Sequence, residues 1–265
     1  MLLDFQRLGI MRWVLGGIGL LVCAFLLLPV VLIVLLSFGS SRWLIFPPPA
    51  WTTKWYAEFF SSPDWIASVV NSAKVASLVS ILSVLLGLGV ALALTRGVFR
   101  GKLLLRLGVL MPMVLPVVVL AIGIYSVFLR LGLNETLAGF VLAHVVIALP
   151  FSVIIISTGL LAFDKSIEDA AILCGATPLQ AKLRVTLPSI RFSLFTAAIF
   201  SFLASWDEIV ISIFMAGPSL QTLPVKLWST LRQDLTPVVA AASSVVLLFT
   251  LLLLLISAPL LRKIR

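Results

Sequence analysis

Six stretches of this chain are long and apolar enough to cross a lipid bilayer, and this constrains its fold more than any motif. A span needs about 20 mostly apolar residues. Runs of that kind fall at about 13–38, 67–94, 104–129, 137–162, 190–216 and 238–261. Hydrocarbon offers no hydrogen-bond partner, so each run must close its backbone bonds internally. The runs are leucine-rich and far longer than the roughly ten residues of a barrel strand, so they predict helices. Only 11% of the 265 residues are charged, against about 25% in soluble domains. The reading is an all-α membrane protein, one transmembrane domain over 1–265 with no soluble domain. The first run exceeds the 7–15 apolar residues of a signal peptide, and no small-x-small cleavage site follows it, so it reads as a retained span.

The net charge of +9 suggests nucleic acid until its distribution is considered. Arg7, Arg12, Arg96, Arg100, Lys102, Arg106, Lys165, Lys182, Arg184, Arg191, Arg262, Lys263 and Arg265 flank the spans on one side. Only Arg42, Lys54, Lys74, Arg130, Lys226 and Arg232 flank them on the other. Cytoplasmic loops carry the excess of Lys and Arg. Both termini and the polar loop at 163–189 are therefore expected in the cytoplasm, with no nucleic acid as partner. The opposite side carries 38–66, rich in tryptophan, where Thr52–Phe60 suggests a short surface helix, and the proline-punctuated 217–237.

Little in the chain points to catalysis. Gly97-Val98-Phe99-Arg100-Gly101-Lys102 falls short of a phosphate-binding loop: three residues separate the glycines instead of four, and Leu103 replaces the Ser or Thr. One histidine, His144, lies inside the fourth span, with no triad or metal-binding spacing around it. Cys23 and Cys174 fall in a span and in a loop, too far apart to pair. Pro112, Pro116 and Pro150 are expected to kink or break their helices. Asn71, Ser72 and Lys74 open the second span, where Lys74 can snorkel.

Ionisable residues inside a span mark pathways or partners. Ser205-Trp206-Asp207-Glu208 in the fifth span is the clearest case. On a continuous helix Asp207 and Glu208 point about 100° apart. Trp206, Asp207 and Glu208 are candidates for a substrate pathway, since carboxylates beside an aromatic ring suit a cationic, partly aliphatic solute. The alternative is that one acid pairs with a neighbouring subunit.

The polar loop has the grammar of two short helices joined at Gly175. Thr177-Pro178-Leu179-Gln180 reads as a capping box with proline at the first helical position. Ser166 with Asp169 resembles a box with a shorter acid, and Pro188 is expected to stop the second helix. Asp169-Ala170-Ala171, three residues, Gly175, nine residues, Val185, one residue and Leu187-Pro188 together resemble the signature of the permease subunits of bacterial binding-protein-dependent ABC importers. Asp169 stands where that pattern has Glu, and Glu168 lies one position early.

The resemblance covers the whole chain and implies a type I ABC importer permease in the bacterial inner (plasma) membrane. Glu168, Asp169, Ala170, Ala171, Gly175, Leu187 and Pro188 would then form the coupling element that docks on a separate ATPase. It implies two copies of an ATP-binding subunit, a second permease that is a different chain, and an extracytoplasmic substrate-binding protein. ATP and Mg would be bound in the ATPase, with no cofactor in this chain and no enzyme activity of its own. The run from Ser205 to Val210, with Phe214, Gly217-Pro218-Ser219, Thr222-Leu223-Pro224, Lys226-Leu227-Trp228-Ser229 and Thr53-Lys54-Trp55-Tyr56, is similar to the second permease subunit of spermidine/putrescine importers. A polyamine is the expected solute. The alternatives are 4-aminobutyrate, an opine or another small solute. A reading of another class is an ATPase-independent secondary transporter or channel using Asp207, Glu208 and His144.

Overall fold

The computed structural model describes residues 11–218, 220–233 and 236–262, with side chains as far as 255. Arg7, Lys263 and Arg265 of the charge argument, and Ser219, lie outside the described residues. The helices in order are α1 (Met11–Ser37), α2 (Lys54–Ser61), α3 (Pro63–Arg96), α4 (Lys102–Val114), α5 (Val117–Leu131), α6 (Leu137–Ala162) and α7 (Lys165–Leu173). They continue as α8 (Pro178–Ala181), a π-helical turn (Lys182–Thr186), α9 (Leu187–Ser189), α10 (Arg191–Trp206), α11 (Val210–Met215), α12 (Leu223–Gln233) and α13 (Pro237–Arg262). Among the described residues there is no strand, only one isolated antiparallel bridge between Gly39 and Trp51.

Among the described residues four helices are long and apolar enough to cross a membrane: Met11–Ser37, Pro63–Arg96, Leu137–Ala162 and Pro237–Leu255. Two bent pairs, Lys102–Val114 with Val117–Leu131 and Pro178–Ser189 with Arg191–Trp206, bring the number to six if each is one span. The expected helix at 104–129 is α4 and α5, turned by 110° between Leu115 and Pro116. A residue before proline is driven out of the helical region, and Leu115 is extended, with ψ 141°. Pro112 and Pro150 leave α4 and α6 continuous. The expected helix at 190–216 is also interrupted, at Asp207–Ile209 between α10 and α11.

The chain divides into two compact units. The first holds residues up to Ser62 with Thr230–Leu248. Within it the loop after α1 is folded back on itself. Tyr56 Oη and Ser37 Oγ are 2.6 Å apart, Trp55 Nε1 donates to Gly39 O (2.7 Å), and Lys54 Nζ donates to Ser40 O (2.9 Å) while lying over the Trp55 ring. Trp55 is therefore a buried clasp of its own loop. Along α1 only Ser37 is buried, so its leucines form an apolar surface.

The second unit holds Pro63–Ser229 with the chain from Phe249 onward. Its centre is α3, α6 and α10 packed on one another, with α11 against α6 and α5 against α11. Lipid tails are as apolar as leucine, so membrane helices associate through close packing at small residues and interhelical hydrogen bonds. The buried stripe of α3 shows this: Ser68, Ser72, Ala76, Ser80, Ser83, Gly87 and Ala91 recur every three or four residues. Ser80 Oγ donates to Ala198 O on α10 at 2.7 Å, and Ser152 of α6 meets Ser201 of α10 at 2.7 Å. Larger apolar residues, including Val75, Val79, Phe140, Ile211 and Met215, fill one end of the unit. Ala91, Ile156, Leu160, Ile190 and Ala197 form a second cluster.

The closeness of α3 and α6 is testable. A Cβ at Gly87 would lie 2.7 Å from Ser152 Cβ. Gly87→Leu is expected to cost about 1–3 kcal/mol by overpacking, read as a lower unfolding midpoint in detergent. An unchanged midpoint would mean that the two helices do not meet there.

Candidate functional site

The loop between α6 and α10 is a self-contained hairpin. Asp164 caps α7 by accepting the Ser166 N–H at 2.9 Å, so the expected Ser166–Asp169 box is replaced by a cap two residues earlier. The Ser166 backbone N–H, with its hydroxyl, holds the Asp164 carboxyl below the usual carboxylate range, and the Arg96 charge adds to this. The cap is present at neutral pH and is lost as pH falls through that lowered value. Gly175 ends α7 at φ +97°, a conformation that costs other L-residues. The Ala176 N–H then bonds back to Ala171 O. The box at Thr177 is present: Gln180 N donates to Thr177 Oγ1 (3.2 Å) and Thr177 N to Gln180 Oε1 (3.0 Å).

Pro188 does not stop the second helix. Leu187 N–H bonds five residues back to Lys182 O, opening a π-helical turn. Such a turn relieves the clash of a proline ring with the preceding turn. The chain continues through α9 and bends by 69° into α10 instead.

The two adjacent acids of this hairpin separate. Glu168 points inward, 7% exposed, and accepts the Thr186 hydroxyl at 2.7 Å, which locks α7 to the π-helical turn. Asp169 and Ala170 are exposed, and Ala171 is half-buried. With them, Ile167, Ile172, Leu173 and Leu179 present apolar side chains to the outside. Leu187 is half-buried and Pro188 exposed. Arg96, the last residue of α3, donates to Leu160 O (3.0 Å) and Phe163 O (3.1 Å). These carbonyls lie at the end of α6, where intrahelical partners run out. The hairpin is thus attached at its root to both α3 and α6.

The second polar feature is the break between α10 and α11. His144 is fully buried on α6 and reaches across the break: Nδ1 lies 2.8 Å from Ser205 Oγ and Nε2 3.1 Å from Ser212 Oγ. Ser212 spends its single hydroxyl proton on Glu208 O (2.7 Å). Nε2 must therefore carry a ring proton toward Ser212. Glu208 Oε1 accepts the Ile211 N–H at 2.8 Å and caps α11. Trp206 is buried, stacked on Phe202 at 5.7 Å and tilted against Phe249 at 4.8 Å.

The structure therefore does not assemble Trp206, Asp207 and Glu208 on one surface. The ring is covered, one Glu208 oxygen is committed to the backbone, and Asp207 alone is exposed. Ser212, the partner of His144, carried no signal beyond being a serine in an apolar run. Asn71 and Ser72 bind the backbone before α12, through Asn71 Nδ2 to Gln221 O (3.2 Å) and Leu223 N to Ser72 Oγ (2.8 Å). Among the described residues no group of three His, Cys, Asp or Glu side chains could hold a metal ion.

This architecture and its helix–glycine–helix loop define a membrane subunit of a solute transporter. Residues 83–265 match the family of binding-protein-dependent transport system inner membrane components, and the chain belongs to that family. It is accordingly a multi-pass inner-membrane protein and the permease subunit of an ABC importer. It is 31% identical to the putrescine transport system permease protein PotI of Escherichia coli K12, over 81% of this chain and 79% of that one. It is 30% identical to the spermidine/putrescine permease protein PotC of the same strain, over 84% of each. The sulfoquinovosyl glycerol permease protein SmoH of Agrobacterium fabrum is 27% identical over 75% of this chain and 72% of that one. In fold, the chain matches the crystal structure of a bacterial ABC transporter that imports alginate, with TM-score 0.70, 17% identity and coverage of 99% and 98%.

The Glu168–Thr186 bond predicts a measurable effect. Thr186→Val leaves a buried carboxylate without its partner and is expected to cost about 1–3 kcal/mol. Limited proteolysis should cut the 164–190 hairpin faster in the variant than in the wild type. Equal rates would show that the bond does not hold the hairpin.

Proposed function

We propose that this chain lines the translocation pathway of an ATP-driven importer for a polyamine of the putrescine or spermidine type. The observation that carries the substrate is the 30–31% identity, over more than four fifths of the chain, to permeases named for those two solutes. The exposed carboxylate of Asp207, at a break inside a span, agrees with an alkylammonium solute. The more distant sulfoquinovosyl glycerol permease supports the alternative that the solute is another small molecule. ATP and Mg belong to a partner ATPase in this reading. Two copies of that subunit, a second permease and an extracytoplasmic binding protein complete the machine. A binding protein is supported by the solved alginate transporter in complex with its periplasmic protein.

Coupling follows from the hairpin's build. Asp169, Ala170, Gly175 and the exposed apolar side chains around them form the surface offered to the ATPase. Glu168 acts from behind by bracing that surface, and Leu187-Pro188 carries motion into α10. A push on the hairpin reaches α3 and α6 through Arg96, and α10 through the 69° bend.

Uptake of labelled putrescine and spermidine by cells with and without this chain, each with a live or a catalytically dead ATPase, tests the whole reading. Uptake that needs both is expected. Uptake surviving the dead ATPase would sink the coupling claim. Assembly with a live ATPase and no polyamine uptake would move the search to other solutes.

Gly175→Arg is expected to leave insertion intact and uncouple ATP hydrolysis from uptake. The side chain has open space, so the loss would come from backbone strain or from the docking surface. Gly175→Asn, which tolerates the same backbone, separates the two by retaining coupling. Coupled uptake at the wild-type rate in Gly175→Arg would end the docking claim.

Asp207→Asn is expected to slow polyamine uptake by about tenfold, for loss of one charge-assisted contact worth about 1.5 kcal/mol, while ATPase assembly is retained. An equal loss of assembly would make Asp207 a subunit-contact residue.

A further inference from the structure

Three elements of the second unit, α3, α4 and α6, line a half-open cavity of about 400 Å³ that the transport reading does not use. Its wall is of two kinds. One part carries Lys102 and Arg106, four residues apart on α4 and so on one face, with Ser157 of α6 beside them. The other part is aliphatic, with Leu110, Val153 and Leu161. No carboxylate lines it. Lys102 Nζ spends one proton on Gly97 O at 3.0 Å, which anchors it over the cavity and leaves two. Burying none of its residues, α4 also exposes Leu103, Leu104 and Leu107. The positive-charge bias assigns this end of the bundle to the cytoplasmic leaflet, which carries the anionic lipids.

We propose that this cavity holds an anionic phospholipid, its phosphate on Lys102 and Arg106 with Ser157 donating, and an acyl chain along Leu110, Val153 and Leu161. A phospholipid carries phosphate and hydrocarbon in one molecule and fills both parts of the wall. An acidic peptide or a free phosphate would leave the aliphatic part empty. The lipid bridges α4 to α6 near the turn that precedes the 110° break, so its occupancy sets how firmly α4 is held against the bundle.

The test is native mass spectrometry of the complete, delipidated transporter after addition of phosphatidylglycerol or phosphatidylcholine. Inorganic phosphate and glycerol 3-phosphate serve as soluble competitors. The wild type is expected to retain phosphatidylglycerol over phosphatidylcholine, undisturbed by millimolar phosphate. Each charge removed should lower retention by about fivefold, so Lys102→Gln with Arg106→Gln should abolish the preference. Lys102→Arg with Arg106→Lys should keep it.

Leu110→Trp leaves both charges and blocks the aliphatic part; it should also lose the lipid. Equal retention in the double Gln variant would overturn the proposal. So would displacement by inorganic phosphate, which points to a phosphate site, or loss of the ATPase subunit in place of lipid, which points to a protein contact. Retention does not depend on uptake, so failure of the polyamine reading leaves this test unaffected.

Discussion

In hydrocarbon an unpaired backbone group costs several kcal/mol, so a membrane helix can break only where side chains or a proline settle the account. The interruption between Trp206 and Val210 is settled in this way. Glu208 caps α11 with its carboxylate, and Ser212 takes up the Glu208 carbonyl. His144 holds a serine on each side of the gap. The break that leaves Asp207 exposed therefore depends on an imidazole supplied by another helix. The same rule explains the break at Leu115–Pro116, where the proline has no N–H to lose.

The rest of the second unit follows from the same solvent. With no hydrophobic drive between helices, α3, α6 and α10 gain contact by approaching closely along serine, alanine and glycine. Gly87 against Ser152, and the hydroxyl bonds from Ser80 and Ser152 to α10, mark those approaches. Aromatic bulk sits where helices are broken, as with Trp206 between Phe202 and Phe249. A tryptophan that the sequence offers as a cation-binding ring is used there to fill space.

The hairpin shows how a motif can be legible while its roles are not. Thr177, Pro178, Gln180 and Gly175 act locally, through bonds to residues within five positions, and the sequence was sufficient to read them. Glu168 and Asp169 are neighbours of the same charge, and no local rule says which turns inward. Only Thr186, eighteen residues on, decides that it is Glu168. Pro188 failed as a stop because a π-helical turn absorbs it, and nothing in Lys182–Thr186 announces that turn.

Length and hydropathy determined by themselves that the chain is an all-α membrane protein with a polar hairpin, and the spacing of Asp169, Ala170, Ala171, Gly175 and Leu187-Pro188 carried its resemblance to importer permeases. These are properties of segments against a solvent, and they need no knowledge of what lies opposite. The tertiary structure alone decided that the chain breaks at Pro116 while α4 and α6 run on through Pro112 and Pro150, and that the run at 190–216 is interrupted at Asp207–Ile209. It also decided that His144 secures one break, that Trp206 is covered, and that Lys102 and Arg106 converge on a cavity. Each of these depends on which side chain a distant helix presents, and bonds between helices leave no periodic trace in the sequence of either one.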